Sequence, residues 1–247
     1  MSEDPKRAAL EESLNTYLSL IDEAKALIGG QEAPADQSYD LSEVLDLLAP
    51  PPLDLQDMST ASLKVLEAMV ASCTKCRLAN GRTNTVFGEG SVPARLMVIG
   101  EGPGADEDAT GKPFVGKAGE YLDTWLNAIH LGRGRGVYLA NIVKCRPPNN
   151  RDPQNDERDA CLPYLKRQIQ LIKPQMILLL GRTAAQTLLA TEDGVGKLRG
   201  RFHRVEEIPA VVTYHPAAVL RNLELKRPVW EDLKRVATYL GIDYGKR

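Results

Sequence analysis

VIGEGPGADEDATGKPFVG, residues 98 to 116, runs from an apolar stretch straight into a loop crowded with glycine, and what that loop holds decides how the rest of the chain is read. A strand that opens into glycine presents backbone N–H groups to a bound anion or ring. The first half, GEGPGA, matches the dinucleotide fingerprint G-x-G-x-x-G/A in the right place after a strand. Its detail argues against a dinucleotide. Pro103 lies inside the turn, and Asp106, Glu107 and Asp108 stand where a helix N-terminus would meet pyrophosphate, so three carboxylates would repel it.

Working outward, the runs RLMVIG (95–100), VYLANIV (137–143), MILLLG (176–181) and AVVTY (210–214) are apolar without polar alternation, the pattern of parallel strands covered on both faces. Between them lie helical stretches: a stripe of Leu122, Trp125, Leu126 and Ile129, then 155–172, 182–190, and Pro228 to Tyr239. These predict an α/β fold, a three-layer α/β/α sandwich around a four-stranded parallel sheet. Ligands in such sheets bind beyond the carboxyl ends of the strands, so GEGPG, KCRPPNNRDP and HPAAVLRN should converge on one edge. GRGRG (132–136) precedes a strand, should face the opposite edge and reads as a plain turn; KLRGRFHR (197–204) is left undecided.

Ahead of this body, KRAALEESLNTYLSLIDEAKALIGG carries Leu10, Leu14, Leu18, Ile21 and Ala24 on a helical period and ends at Gly29–Gly30. Residues 31–57, with Pro34, Pro50, Pro51 and Pro52, read as a linker with a short helix at 41–48. The division is therefore an acidic extension over 1–58 and a folded domain over 59–247, whose STASLKVLEAMVASC offers an N-cap and an apolar face.

In 247 residues, 43% hydrophobic side chains support a real core. No stretch approaches eighteen consecutive apolar residues and MSEDPKRAALEES lacks the apolar run of a secretory signal, which predicts a cytoplasmic protein with reduced cysteines and no membrane contact. The net charge of −2 hides an asymmetry: residues 1–71 hold 4 Lys+Arg against 14 Asp+Glu, and the remainder 27 against 19. A basic body suggests a polyanion partner, although basic residues also simply solvate a surface. Of the four cysteines, Cys73 and Cys76 form C-x2-C while Cys145 and Cys161 lie far downstream. Zinc and an iron–sulfur cluster both accept four thiolates, and spacing does not choose between them.

Taken in order, C-x2-C, GEGPG after a strand, GKPFVGKAGEYL, NIVKCRPPNNRDP with a trailing cysteine, LLLGRTAA and HPAAVLR together resemble the iron–sulfur, thermostable-type fourth family of uracil-DNA glycosylases. The resemblance covers roughly residues 72–240 and leaves 1–58 outside. It implies that 59–247 is a catalytic domain that hydrolyses the N-glycosidic bond of uracil in single- or double-stranded DNA as a monomer, leaving an abasic site and initiating base excision repair. It also implies a 4Fe–4S cluster on Cys73, Cys76, Cys145 and Cys161, with a structural task. The acidic extension would compete with phosphate for the basic face or bind a protein partner.

An enzyme of this kind extrudes its base before reading it. The resemblance assigns Phe114 as the stacking platform, or else ordinary core. Asn141 would pair with the O4 and N3 edge of uracil, its amide offering a donor and an acceptor. His215 would donate to O2 of the departing anion, helped by backbone amides of the turn that holds Gly100 and Gly102, and Glu101 would position the water. Where the family usually has Ala, this chain has Gly102. Glu107 would exclude the 5-methyl of thymine, or belong to a solvated acidic loop. Val219 and Leu220 would enter the base stack, with Arg221 on phosphate; the family usually has Leu in place of Val219. The rivals are a superfamily member with altered base preference, a covalent product, which needs a histidine that PPNNRDPQNDER lacks, and a non-catalytic DNA-binding or scaffold protein of the same fold.

Overall fold

The computed structural model describes residues 60–245, so the expected N-terminal helix, the proline-containing linker with its short helix and the boundary at 58/59 lie outside the described residues. Among these, the strands are β1 (Glu89–Gly90), β2 (Leu96–Gly100), β3 (Gly132–Arg133), β4 (Gly136–Asn141), β5 (Met176–Leu180), β6 (Phe202–Val205) and β7 (Ile208–Thr213). They form one sheet of order β1-β4-β2-β5-β7-β6, with the short β3 beside β4. The four parallel strands predicted by the apolar runs are β4, β2, β5 and β7. Two antiparallel edge strands, β1 and β6, extend them. Neither reads as a strand in sequence: β1 is two residues long, and β6 is a basic edge whose Phe202 is exposed.

The helices are α1 (Leu63–Ala71), α2 (Ala105–Thr110), α3 (Lys117–Ala128), α4 (Asn155–Ile172), α5 (Gly181–Leu189), α6 (Val195–Leu198), α7 (Pro216–Arg221) and α8 (Lys226–Tyr239). α1 starts because the Ser62 hydroxyl accepts from the Val65 N–H, and its Leu66, Met69 and Val70 are buried with Phe87 and Tyr164. On one face of the sheet, Met97, Ile99, Ile177 and Leu179 pack with Leu165 and Ile169 of α4 and Ala184 and Ala185 of α5. On the other, Leu96, Val98, Leu139 and Leu178 pack with Leu122, Trp125 and Leu126 of α3 and with Val229, Leu233 and Val236 of α8. The expected α/β/α layering follows, because strands buried on both faces need a helical layer on each. No helix among the described residues is long and apolar enough to cross a membrane.

KLRGRFHR resolves into the end of α6, a turn and β6. Its Arg199 is a structural residue. The guanidinium pairs with both carboxylate oxygens of the fully buried Asp232 in α8, at 3.0 and 3.1 Å. The Thr213 hydroxyl at the end of β7 donates to the same carboxylate at 2.8 Å and the Gly200 N–H at 3.2 Å. GRGRG does turn, through β3 into β4, but one of its arginines leaves the turn, as shown below.

Asp232→Ala would strand Arg199 and the Thr213 hydroxyl without their acceptor, and should destabilise the fold by about 3 kcal/mol. Equilibrium unfolding in urea checks this; an unchanged midpoint would refute a structural task for the pair.

Candidate active site

Strand register assembles the site. Gly100 lies opposite Asn141 in the β2–β4 pair and Leu180 opposite Thr213 in the β5–β7 pair, so the four carboxyl ends finish level. The loops leaving them surround a cleft of about 440 Å³. Of the residues expected there, Glu101, Gly102, Glu107, Phe114, Asn141, His215 and Arg221 line it. Arg151, Asp152 and Arg182 line it too, unnamed by the sequence reading although they sit in the NNRDP and LLLGRTAA runs.

Gly100 lies beneath the cleft and works by what it lacks. A Cβ there would stand 2.6 Å from Asn141 Oδ1 and 2.7 Å from Phe114 Cζ, so only glycine lets the amide and the ring approach each other. Phe114 takes the left-handed backbone region, with φ of 54°, which is uncommon for a bulky side chain. Its ring is buried and faces His215, with centroids 6.3 Å apart and planes tilted by 31°. Asn141 is buried as well, and the Lys144 ammonium donates to its carbonyl at 3.0 Å and to Gln168 Oε1 at 2.6 Å.

The acidic run is neither a solvated loop nor a phosphate site. Its residues form α2, and the Glu107 and Asp108 carboxylates are taken up by backbone N–H groups, while Asp106 is exposed. Glu107 Oε2 accepts from Gly104 at 3.0 Å, and Oε1 accepts from Val115 at 2.8 Å and Gly116 at 2.9 Å. The side chain thus pins the loop that carries Phe114 to the loop that leaves β2. Asp108 is buried and accepts from the Thr83 N–H at 2.9 Å. The Glu101 carboxyl is raised above its usual 4.5 by burial, an effect opposed by the hydrogen bond that Thr183 donates to it. Thr183 is a second residue that sequence reading passed over; a threonine one turn into a helix gives no signal of its partner.

His215 Nδ1 accepts from the Ala217 N–H at 3.2 Å. With that nitrogen an acceptor, the ring proton sits on Nε2. Burial, reinforced by the Arg221 charge, lowers its pKa to about 4, so the imidazole is neutral at neutral pH. The short helix α7 that follows corrects one expectation. Val219 is fully buried, packed in the layer of α3 and α8, and does not reach the surface. Pro216 and Val219 face inward because they lie three residues apart on one helical face, which leaves Leu220 and, past the helix, Leu223 exposed.

Cys73, Cys76, Cys145 and Cys161 line one small space with Arg82, Lys144 and Tyr164. Arg82 Nη1 lies 3.3 Å from Cys145 Sγ, and the Lys144 N–H points at Cys161 Sγ, also at 3.3 Å. Burial pushes the Cys161 thiol up to about 11 and raises Cys145 too. Among the described residues, no three His, Cys, Asp or Glu side chains converge closely enough to hold a single metal ion.

Against known proteins, residues 87–234 match the family model described as the Uracil DNA glycosylase superfamily. The chain is similar to the Type-4 uracil-DNA glycosylase of Sulfurisphaera tokodaii, 44% identical over 184 residues that cover 71% of this chain and 83% of that protein. That of Saccharolobus solfataricus is 45% identical over 184 residues, covering 71% and 85%. That of Archaeoglobus fulgidus is 40% identical over 188 residues, covering 73% and 94%.

Gly100→Ala tests the geometry directly. The added methyl should displace the Phe114 ring or the Asn141 amide while leaving the sheet intact; a crystal structure of the variant with both groups unmoved would refute the close approach inferred here.

Proposed function

The chain belongs to the uracil DNA glycosylase superfamily, among its type-4 enzymes, and we propose that the strand-end cleft performs the hydrolysis with Phe114, Asn141, His215 and Glu101 in separate tasks. The enzyme is a DNA glycosylase that cleaves the N-glycosidic bond of uracil in DNA, leaves an abasic site and so begins repair. The flipped uracil stacks on Phe114. Asn141 Nδ2 donates to O4 and its Oδ1 accepts from N3–H, a pattern that cytosine reverses.

As the bond breaks, negative charge gathers on the base and positive charge on the sugar. His215 donates a hydrogen bond from Nε2–H to O2 as a neutral group, so no proton need be gained first, and the Gly102 N–H serves as a further donor. Glu101, one oxygen held by Thr183, presents the other to the attacking water and takes up its proton. Glu107, fixed by three backbone donors, walls off the space a 5-methyl group would need. Leu220 or Leu223 fills the vacated stack, with Arg221 on phosphate. The observation that carries this reading is the meeting of the Asn141 amide and the Phe114 ring above Gly100, beside a histidine of fixed tautomer.

The four cysteines fit a 4Fe–4S cluster: they line one space, and Arg82 and the Lys144 N–H supply donors to sulfur. Such a cluster supplies structure, tying the cysteine segment to the strand that ends in Asn141. The protein should carry about four irons per chain with broad visible absorption, and Cys161→Ser should lose both; a colourless protein holding one zinc would overturn the cluster.

Glu101 must be ionised, and its carboxyl titrates above 4.5, whereas His215 stays neutral down to about 4. Acidification should therefore slow single-turnover excision through Glu101. Glu101→Gln should lower the rate on the order of a hundredfold and remove that acid limb. His215→Ala should cost on the order of a hundredfold or more with DNA affinity unchanged. Normal rates in both variants would defeat the assignment.

A further inference from the structure

Arg133, in the turn that the sequence reads as plain, does not line the cleft, yet its side chain reaches the loop that does. Its Nε lies 3.1 Å from both carboxylate oxygens of Asp123 in α3. Its Nη1 donates to the Pro113 carbonyl at 2.9 Å, and its Nη2 donates to the Phe114 carbonyl. One planar guanidinium thus joins a helix to two successive carbonyls, a geometry that lysine cannot copy. Those carbonyls belong to the strained stretch, because Phe114 is the residue with positive φ. The helix makes room for it. A Cβ on Gly119 would lie 1.8 Å from the Phe114 carbonyl oxygen, so the carbonyl is seated against α3 where the guanidinium meets it.

We propose that Arg133 is a positioning residue for the uracil platform: anchored by Asp123, it holds the Phe114 backbone in its left-handed turn and so aims the ring at the base. The proposal rests on the reading of Phe114 as that platform. Glu107 pins the same loop through the Val115 and Gly116 N–H groups, so the loop is held by an acceptor side chain as well as by a donor. The Asp123 pair by itself adds little to folding. Arg133 and Asp123 are about a quarter and a third exposed, and ion pairs at that exposure contribute little to folding.

The test is a double-mutant cycle on single-turnover uracil excision, using Arg133→Ala, Phe114→Ala and the pair, with thermal unfolding recorded for each. Arg133→Ala should slow excision on the order of tenfold or more at nearly unchanged unfolding temperature, with duplex affinity retained. In the Phe114→Ala background it should cost nothing further, because the ring it aims is gone. Arg133→Lys, which keeps only the Asp123 pair, should be as slow as Arg133→Ala, and it serves if the alanine variant fails to fold. Wild-type rates in the arginine variants, or losses that multiply independently of Phe114, would overturn the proposal. Wild-type excision by Phe114→Ala alone would instead remove the platform reading, and this inference with it.

Discussion

The pairing of β2 with β4 places Gly100 against Asn141, and the cleft is built around that one contact. Because the residue at the end of β2 has no side chain, the Asn141 amide and the Phe114 ring can occupy the space a Cβ would fill. Parallel strands carry their side chains with a period of two, so a slip of one residue would turn Asn141 to the other face of the sheet. The β5–β7 pair obeys the same constraint, ending at Leu180 and Thr213 and delivering His215 two residues later. Side-chain packing on both faces fits that register: Met97 and Ile99 belong to one layer, Leu96 and Val98 to the other.

Above that frame, carboxylates act as fasteners for backbone N–H groups. Glu107 joins two loops, and Asp108 joins α2 to the segment that follows the first cysteine pair. Glu157, fully buried at the start of α4, pairs with Arg151 of the cleft rim, accepts from the Gln154 N–H, and lies 3.8 Å from Arg77, the residue after Cys76. Cysteine segment and cleft rim therefore share a buried anion. Its ionised state is held by Arg151, which keeps the Glu157 carboxyl below its usual range. These acids resemble a solvated surface in sequence and make up internal wiring in space.

The electrostatics of the cleft separate charge from chemistry. Arg151, Arg182 and Arg221 stand among its lining, where an anionic backbone would approach, while His215, proposed as the donor to the base, is kept neutral by burial. A neutral donor that is itself buried stabilises an incipient anion with little rearrangement of its own. Asp232 and Arg199 serve the carboxyl end of β7: the buried Asp232 carboxylate, paired with Arg199, fixes Thr213 and with it the direction in which β7 delivers His215.

The layered α/β fold, the four parallel strands and the edge on which GEGPG and the histidine meet are legible in the sequence, because burial on both faces writes uninterrupted apolar runs and amphipathic helices write a 3.6-residue stripe. Elements too short or too exposed to carry a period are not. β1, β6, α2 and the six-residue α7 left no readable stripe, so nothing in the pattern countered the resemblance that put Val219 in the base stack, whereas it lies in the core. Arg133 and Thr183 were equally hidden, since each works through a partner far along the chain, Arg133 on the Phe114 loop and Thr183 on Glu101. Sequence alone determined which residues stand at the strand ends, since local pattern places the ends. Only the tertiary structure decided which of them touch, which proton His215 carries and which side chains hold Phe114 in place, because those depend on contacts between segments that no local periodicity records.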